Sequence, residues 1–224
     1  MKKNDWSNPW FFIPALLFLN TGLALLLLVP HGDEILFFNN SRTEPWNTVF
    51  RFFTHLGEPL SFALVAGILL VFRRYRFALL IGLAGLIILP LSFFLKDKIG
   101  KDRPITFFEK RGLRETVAIV PEVSLNGGQT SFPSGHTMAA FGIYGAIALG
   151  SRSRQGKRWG LLCASVAILV GFSRIFLVQH FLVDVVAGAF IGILVALGVR
   201  TIDRRFFQAW KGLDRSLLQT LRKM

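Results

Sequence analysis

A chain of 224 residues that is 52% hydrophobic and only 17% charged, with a mean hydropathy of +0.50, falls outside the composition of soluble domains and of disordered segments and reads as a membrane protein. Its net charge of +13 comes from basic residues clustered between apolar runs, as in cytoplasmic loops of membrane proteins, so nucleic acid is not expected as a partner. The single Cys163, inside an apolar run, excludes a disulfide framework and a thiolate metal site.

A helix that spans a bilayer needs about 20 mostly apolar residues, because backbone groups in hydrocarbon find no water. Trp10 to Pro30 meets that length directly. Further apolar runs cover about Leu60 to Phe72, Phe77 to Leu95, Thr137 to Gly150, Trp159 to Val178 and Phe181 to Ile202. The pattern predicts an all-α, polytopic bundle of about six transmembrane helices, with the short second and fourth tilted or extended by their flanks. The first run is too long for a signal-peptide core and no small-residue cleavage site follows it, so it is expected to persist as a helix. No internal repeat or second-domain linker interrupts residues 1–224, which read as a single integral membrane domain.

Lys and Arg in short loops set orientation. Lys2 and Lys3, the group Arg73, Arg74 and Arg76, the group Arg152, Arg154, Lys157 and Arg158, and the series Arg200, Arg204, Arg205, Lys211, Arg215, Arg222 and Lys223 would all be cytoplasmic, which puts both termini on the cytoplasmic side of a multi-pass protein of the cytoplasmic membrane, with the active site facing outward. The segment His31 to Glu58 suits the outer side, and Trp46 to Phe53 reads as a short interfacial helix with Val49, Phe50 and Phe53 on one face. Lys96 to Pro133 must also be outside by alternation, yet it carries Lys96, Lys98, Lys101, Arg103, Lys110, Arg111 and Arg114. Basic residues kept against the topological rule point to an anionic ligand, or to headgroup contact by a solvated loop.

Three segments at the outer helix ends hold polar groups that membrane helices normally avoid: Lys96 with Arg103 and Pro104; Pro133-Ser134-Gly135-His136; and Ser173-Arg174, His180 and Asp184. His180 and Asp184 are four residues apart, so on a helix they share a face and the carboxylate can accept a hydrogen bond from one imidazole nitrogen. The other nitrogen is then left as a nucleophile or a base. Arg174 offers a planar fork for two phosphate oxygens. Ser134 suits an N-cap, Gly135 permits close approach to the main chain, and the helix start favours an anion. His136 would stand beside that anion, placed to protonate a leaving oxygen. Together these groups suit in-line phosphoryl transfer, and no carboxylate pair or Cys/His cluster with metal-ligand spacing accompanies them, so no metal or other cofactor is expected.

These motifs resemble the signature of the type 2 phosphatidic acid phosphatase family, integral membrane relatives of vanadium haloperoxidases and acid phosphatases. All signature positions between Lys96 and Asp184 match. The resemblance implies a metal-independent lipid phosphatase with a covalent phosphohistidine on His180, His136 as acid and then base, Asp184 orienting His180, and Lys96, Arg103, Ser134, Gly135 and Arg174 binding the phosphate. It implies a membrane lipid phosphate as substrate, with undecaprenyl pyrophosphate, phosphatidylglycerol phosphate, phosphatidate and lipid A phosphate all compatible, and no obligate protein partner. Transfer of the phosphate to another lipid, or non-enzymatic transport of an anionic lipid, are the alternatives. Glu58, at the outer start of the second helix, is expected as a structural ion-pair partner, the alternative being that it pairs with Lys96 or Arg103 or tunes headgroup choice. Glu115 to Gln129 reads as an extended segment and turn, either a lid or a plain surface loop.

Overall fold

The computed structural model describes residues 8–72, 74–151 and 154–207, with the side chains of 154–156 outside that description. The expected cytoplasmic residues Lys2, Lys3, Arg73, Arg152, Lys211, Arg215, Arg222 and Lys223, and the side chain of Arg154, therefore lie outside the described residues. Every regular element among those described is helical: α1 (Pro9–Leu28), α2 (Asp33–Leu36), α3 (Glu44–His55), α4 (Pro59–Val71), α5 (Tyr75–Ile99), α6 (Pro104–Lys110), α7 (Gly135–Gly150), α8 (Arg154–Phe176) and α9 (Leu182–Ile202). All six apolar runs of the sequence are helices, as α1, α4, α5, α7, α8 and α9.

Four stretches are by themselves long and apolar enough to cross a bilayer, Pro9–Leu28, Tyr75–Lys110, Lys157–Phe176 and Leu182–Phe207, and α3 with α4 makes a fifth if that pair, bent by 61°, counts as one span. The chain is thus an integral membrane protein. The exception is α7, whose 16 residues reach only about 24 Å. It is the innermost helix and packs on α9, α8 and α5. Most of its side chains, among them Met138, Phe141, Ile143 and Ala146, are buried against those helices, and a short helix at membrane depth is tolerated where protein surrounds it.

Small residues set how closely these helices pack. A Cβ added at Gly188 would lie 2.7 Å from the Ser134 carbonyl oxygen, and one at Gly192 would lie 2.6 Å from that of Met138, so α9 rests directly on the α7 backbone. Phe11, Ala15, Phe141, Ala164, Val185 and Ala189 complete the main core between α1, α7, α8 and α9. A second cluster, built on Phe62, Leu80, Ile88 and Met138, joins α4 and α5 to α7. Leu64, Ile68, Leu86 and Phe93 of α4 and α5 stay exposed on the outer surface of the bundle, as lipid-facing residues do.

At one end of the bundle Arg76 and Arg200 close on Asp203, at 2.6 and 2.7 Å, with all three buried. At the other end lie α2, α3, α6 and the long connection from residue 111 to 134. Helix α3 presents Asn47, Phe50 and Thr54 inward, Phe50 stacking on Phe176 at 4.3 Å, whereas Val49 is exposed. The expected short helix forms, but turned so that two polar residues face the protein. The 115–129 segment contains a single helical turn at Arg114–Thr116 and no strand. Side chains pin it instead: Asn126 Nδ2 donates to Gln179 Oε1 at 2.7 Å, and Gln179 Nε2 donates to the Ser124 carbonyl at 3.0 Å.

Candidate active site

The connection from α8 to α9 carries His180, with Arg174 near the end of α8 and Asp184 in the first turn of α9. Helix α8 ends in a Schellman turn: Val178 N–H donates to the Ile175 carbonyl at 3.0 Å, and Gln179 N–H to that of Arg174 at 2.9 Å. The residue in the left-handed position of that turn, ordinarily glycine, is Val178 with φ +58°, at a cost of roughly 1–2 kcal/mol for the crowded Cβ. His180 follows, its own N–H bonded to the Arg174 carbonyl at 3.1 Å. The backbones of the cation and the imidazole are thereby tied together.

The sequence spacing anticipated His180 and Asp184 on one helical face. In the structure His180 lies in the turn before α9, and Asp184 is the third residue of that helix. They still meet, because Asp184 Oδ2 folds back to accept the Phe181 N–H at 3.0 Å, as an acidic residue in a helical first turn does. That oxygen then lies 3.4 Å from His180 Nδ1. Nε2 is the nitrogen left for other chemistry. The imidazole is 1% exposed, and burial pushes its pKa down to about 4, helped by the charges of Arg174 and Arg103 and opposed by Asp184. Near neutral pH it is uncharged and keeps a lone pair.

Asp184 has a third partner that sequence reasoning missed. Ser131 Oγ donates to Asp184 Oδ2 at 2.5 Å and lies 3.5 Å from His180 Nδ1, with Ser131 fully buried. It precedes the Pro133-Ser134 motif in an irregular, polar stretch, where a serine carries no periodic signal.

Ser134 caps α7 as expected: its Oγ accepts from Thr137 N–H at 3.4 Å and from the Thr137 hydroxyl at 2.9 Å. Its own N–H donates to the Asp184 carbonyl at 3.0 Å, so the starts of α7 and α9 lie side by side. A Cβ at Gly135 would be 3.0 Å from Ser92 Oγ and 3.8 Å from Lys96 Nζ, which brings the end of α5 against the same helix start. Arg103 is held over the site by Thr130 Oγ1, 3.1 Å from its Nε, and by the Gln179 carbonyl, 3.3 Å from Nη1. Arg174, 6% exposed, donates through Nη1 to Thr54 Oγ1 of α3, and its Nε has no hydrogen-bond partner among the described residues. Thr54 is the second residue the sequence reading passed over, although the seven-residue spacing of Asn47 and Thr54 on an otherwise apolar face was a visible signal.

Lys96, Arg103, Arg174, His136, His180 and Asp184 thus form one electrostatically coupled group. His136 and Arg174 also form part of the wall of a cleft of about 330 Å³, together with Thr54, His55, Glu58 and Asn126. Glu58 pairs with His55 at 2.9 Å and not with Lys96 or Arg103. Three cations facing a single committed carboxylate can hold a group with several anionic oxygens, with neutral His180 against it and His136 on the side of the cleft.

A curated relative, phosphatidylglycerophosphatase B of Bacillus subtilis (strain 168), is 31% identical over 174 residues, covering 72% of this chain and 78% of the relative. Among solved structures, Aquifex aeolicus LpxE superposes with a TM-score of 0.59 at 28% identity over 75% of this chain and 92% of that one. The fold is also shared, at 24% identity and a TM-score of 0.59, with the first transmembrane PAP2 type phosphatidylglycerolphosphate phosphatase from Bacillus subtilis, over 88% and 98% of the two chains. The PAP2 superfamily profile matches residues 73–208, a stretch that contains every residue of the cationic group, and the chain belongs to that superfamily.

Proposed function

We propose that the protein is a metal-independent lipid phosphatase that hydrolyses a lipid phosphate monoester or pyrophosphate through a phosphohistidine on His180, at the outer face of the cytoplasmic membrane. The observation that carries the reading is the buried His180, whose Nδ1 lies 3.4 Å from Asp184 Oδ2 and whose main-chain N–H bonds the Arg174 carbonyl. In the proposed sequence Lys96, Arg103, Arg174 and the main chain at Ser134 and Gly135 hold the phosphate oxygens. His180 Nε2 attacks phosphorus as the bond to the leaving alcohol or phosphate breaks, and His136 protonates the departing oxygen. Asp184 balances the charge the ring acquires. His136 then takes a proton from water as that water attacks the phosphohistidine and returns inorganic phosphate. The names of the relatives, a phosphatidylglycerophosphatase and LpxE, support a lipid phosphate substrate. Phosphatidylglycerol phosphate, phosphatidate, undecaprenyl pyrophosphate and lipid A phosphate remain the candidates. Orientation with about six spans and both termini cytoplasmic rests on the Lys/Arg distribution.

Purified protein in detergent, given each substrate with excess chelator, is expected to release phosphate from at least one of them. Rapid acid-free quenching should trap an acid-labile label on the wild type and none on His180→Ala. A label surviving in His180→Ala, or activity abolished by chelator and restored by a divalent metal, would overturn the mechanism. Release from no lipid, with label passing from one lipid to another, would favour a phosphotransferase.

A further inference from the structure

The turn that carries His180 is held from outside by a segment far away in sequence. Between α1 and α3 the chain runs through His31 to Arg42 and lies across both ends of the α8–α9 connection. On one side Arg42 Nε donates to the carbonyl of Phe176, the last residue of α8, at 2.8 Å, and its Nη2 and Nη1 bind the Ile35 carbonyl at 2.9 Å and Asn39 Oδ1 at 2.5 Å. On the other side Glu34 Oε1 accepts the N–H of Leu182, the first residue of α9, at 3.1 Å, while its Oε2 accepts the Gly32 N–H at 2.7 Å. A cation therefore sits on the carbonyl end of one helix and a carboxylate on the N–H end of the next, each with the favourable sign. The segment is itself anchored: Asn39 bonds Thr116 and Ala118 of the long connection, and the His31 ring lies 4.0 Å from that of Phe181.

Between these two fastenings lies Val178, a β-branched residue with φ +58° and no exposed surface. Such a conformation persists only where its surroundings over-determine it. The buried Val178 side chain belongs to the main core, and the turn it bends delivers His180 to Asp184.

We propose that Glu34 and Arg42 are positioning residues for the nucleophile: they clamp the two ends of a strained turn and so hold His180 in register with Asp184 and Arg174. Neither residue touches the cationic group. The inference rests on His180 being the reacting group, as proposed above. It assigns to the segment before α3 a part in the reaction beyond linking α1 to α3.

The test is a double-mutant cycle between the clamp and the strain. Val178→Gly removes the Cβ that resists the left-handed backbone, so the turn no longer depends on being clamped. Glu34→Ala is expected to lower kcat about tenfold in the native background, with KM changed less than about twofold, since a misplaced nucleophile acts on the chemical step. In the Val178→Gly background the same substitution should cost less than about twofold. Thermal stability should move the other way, both variants lowering Tm and the double variant lowering it further, because Val178→Gly also empties a buried site. A merely structural role for Glu34 would give equal or larger losses in the weakened background. Equal kcat losses in the two backgrounds, or an undiminished kcat in Glu34→Ala, would overturn the proposal. Should Glu34→Ala not yield folded protein, Glu34→Gln, which keeps an acceptor for the Leu182 N–H, is run through the same cycle with the same criterion at a smaller loss of about threefold. Acid-labile labelling of the wild type, absent in His180→Ala, is measured alongside: its failure would sink the phosphohistidine reading, whereas a flat cycle with labelling intact would sink only the clamp.

Discussion

Because His180 is buried as a neutral ring, acid should destabilise the protein through this one residue. The ring passes from an ordinary pKa of 6.5 when unfolded to about 4 when folded. The sign follows from which state binds the proton: between those two values the unfolded chain takes one up and the folded chain does not, so stability is fully present above about pH 6.5 and is lost as pH falls towards 4. Evaluated between pH 7.5 and 4.5, the difference in proton binding amounts to about 2.5 kcal/mol, most of the shift being expressed by then. For a chain of this size that corresponds to a fall in Tm of roughly 5–10 °C. Other groups titrate in the same range, so the measurement is a difference between the wild type and His180→Asn, which keeps a donor for Asp184 but has no imidazole to protonate. Thermal unfolding of both proteins in detergent, followed by tryptophan fluorescence at pH 7.5 and 4.5, should show the larger acid-induced fall in the wild type. Equal falls in Tm would mean that burial does not hold His180 neutral, and the case for it as a nucleophile at neutral pH would lose its physical basis.

Ser131→Ala removes a buried donor to Asp184 and leaves the carboxylate one hydrogen bond short, so turnover should fall by about tenfold and Ser131→Thr should recover part of it; unchanged kinetics for the alanine variant would remove Ser131 from the site. His136→Ala, lacking the proton donor, should lose roughly a hundred- to ten-thousand-fold on a lipid phosphate monoester but much less on an aryl phosphate with a good leaving group, whereas His180→Ala should lose both alike; equal losses for His136→Ala on the two substrates would argue against general acid catalysis by that residue. Gly188→Ala drives a Cβ to 2.7 Å from the Ser134 carbonyl and should cost about 1–3 kcal/mol as a lowered Tm, while Gly198→Ala, which meets open space, should stay within about 0.5 kcal/mol; similar Tm values for the pair would contradict the close contact of α7 and α9.

Hydrophobic length and the distribution of Lys and Arg are properties of contiguous residues, so the helices, and the chemical types gathered at Lys96, Arg103, Ser134, His136, Arg174, His180 and Asp184, were legible in the sequence itself. The N-cap of Ser134 was legible for the same reason, since a cap is made by residues three apart. What tertiary structure decided was how the pieces meet. Only packing against three neighbours lets α7 be too short to cross the bilayer alone and still stand at the centre. The His180–Asp184 contact, anticipated as one turn of helix, comes instead from a first-turn carboxylate folding back on a chain that has already left α8. Ser131, Thr54 and Glu34 reach the site or its supports from 53, 120 and 148 residues away in sequence. Ser131 and Glu34 have no local periodicity, and the role of all three exists only because burial leaves each polar group on α8 and α9 dependent on whatever partner the folded chain brings to it.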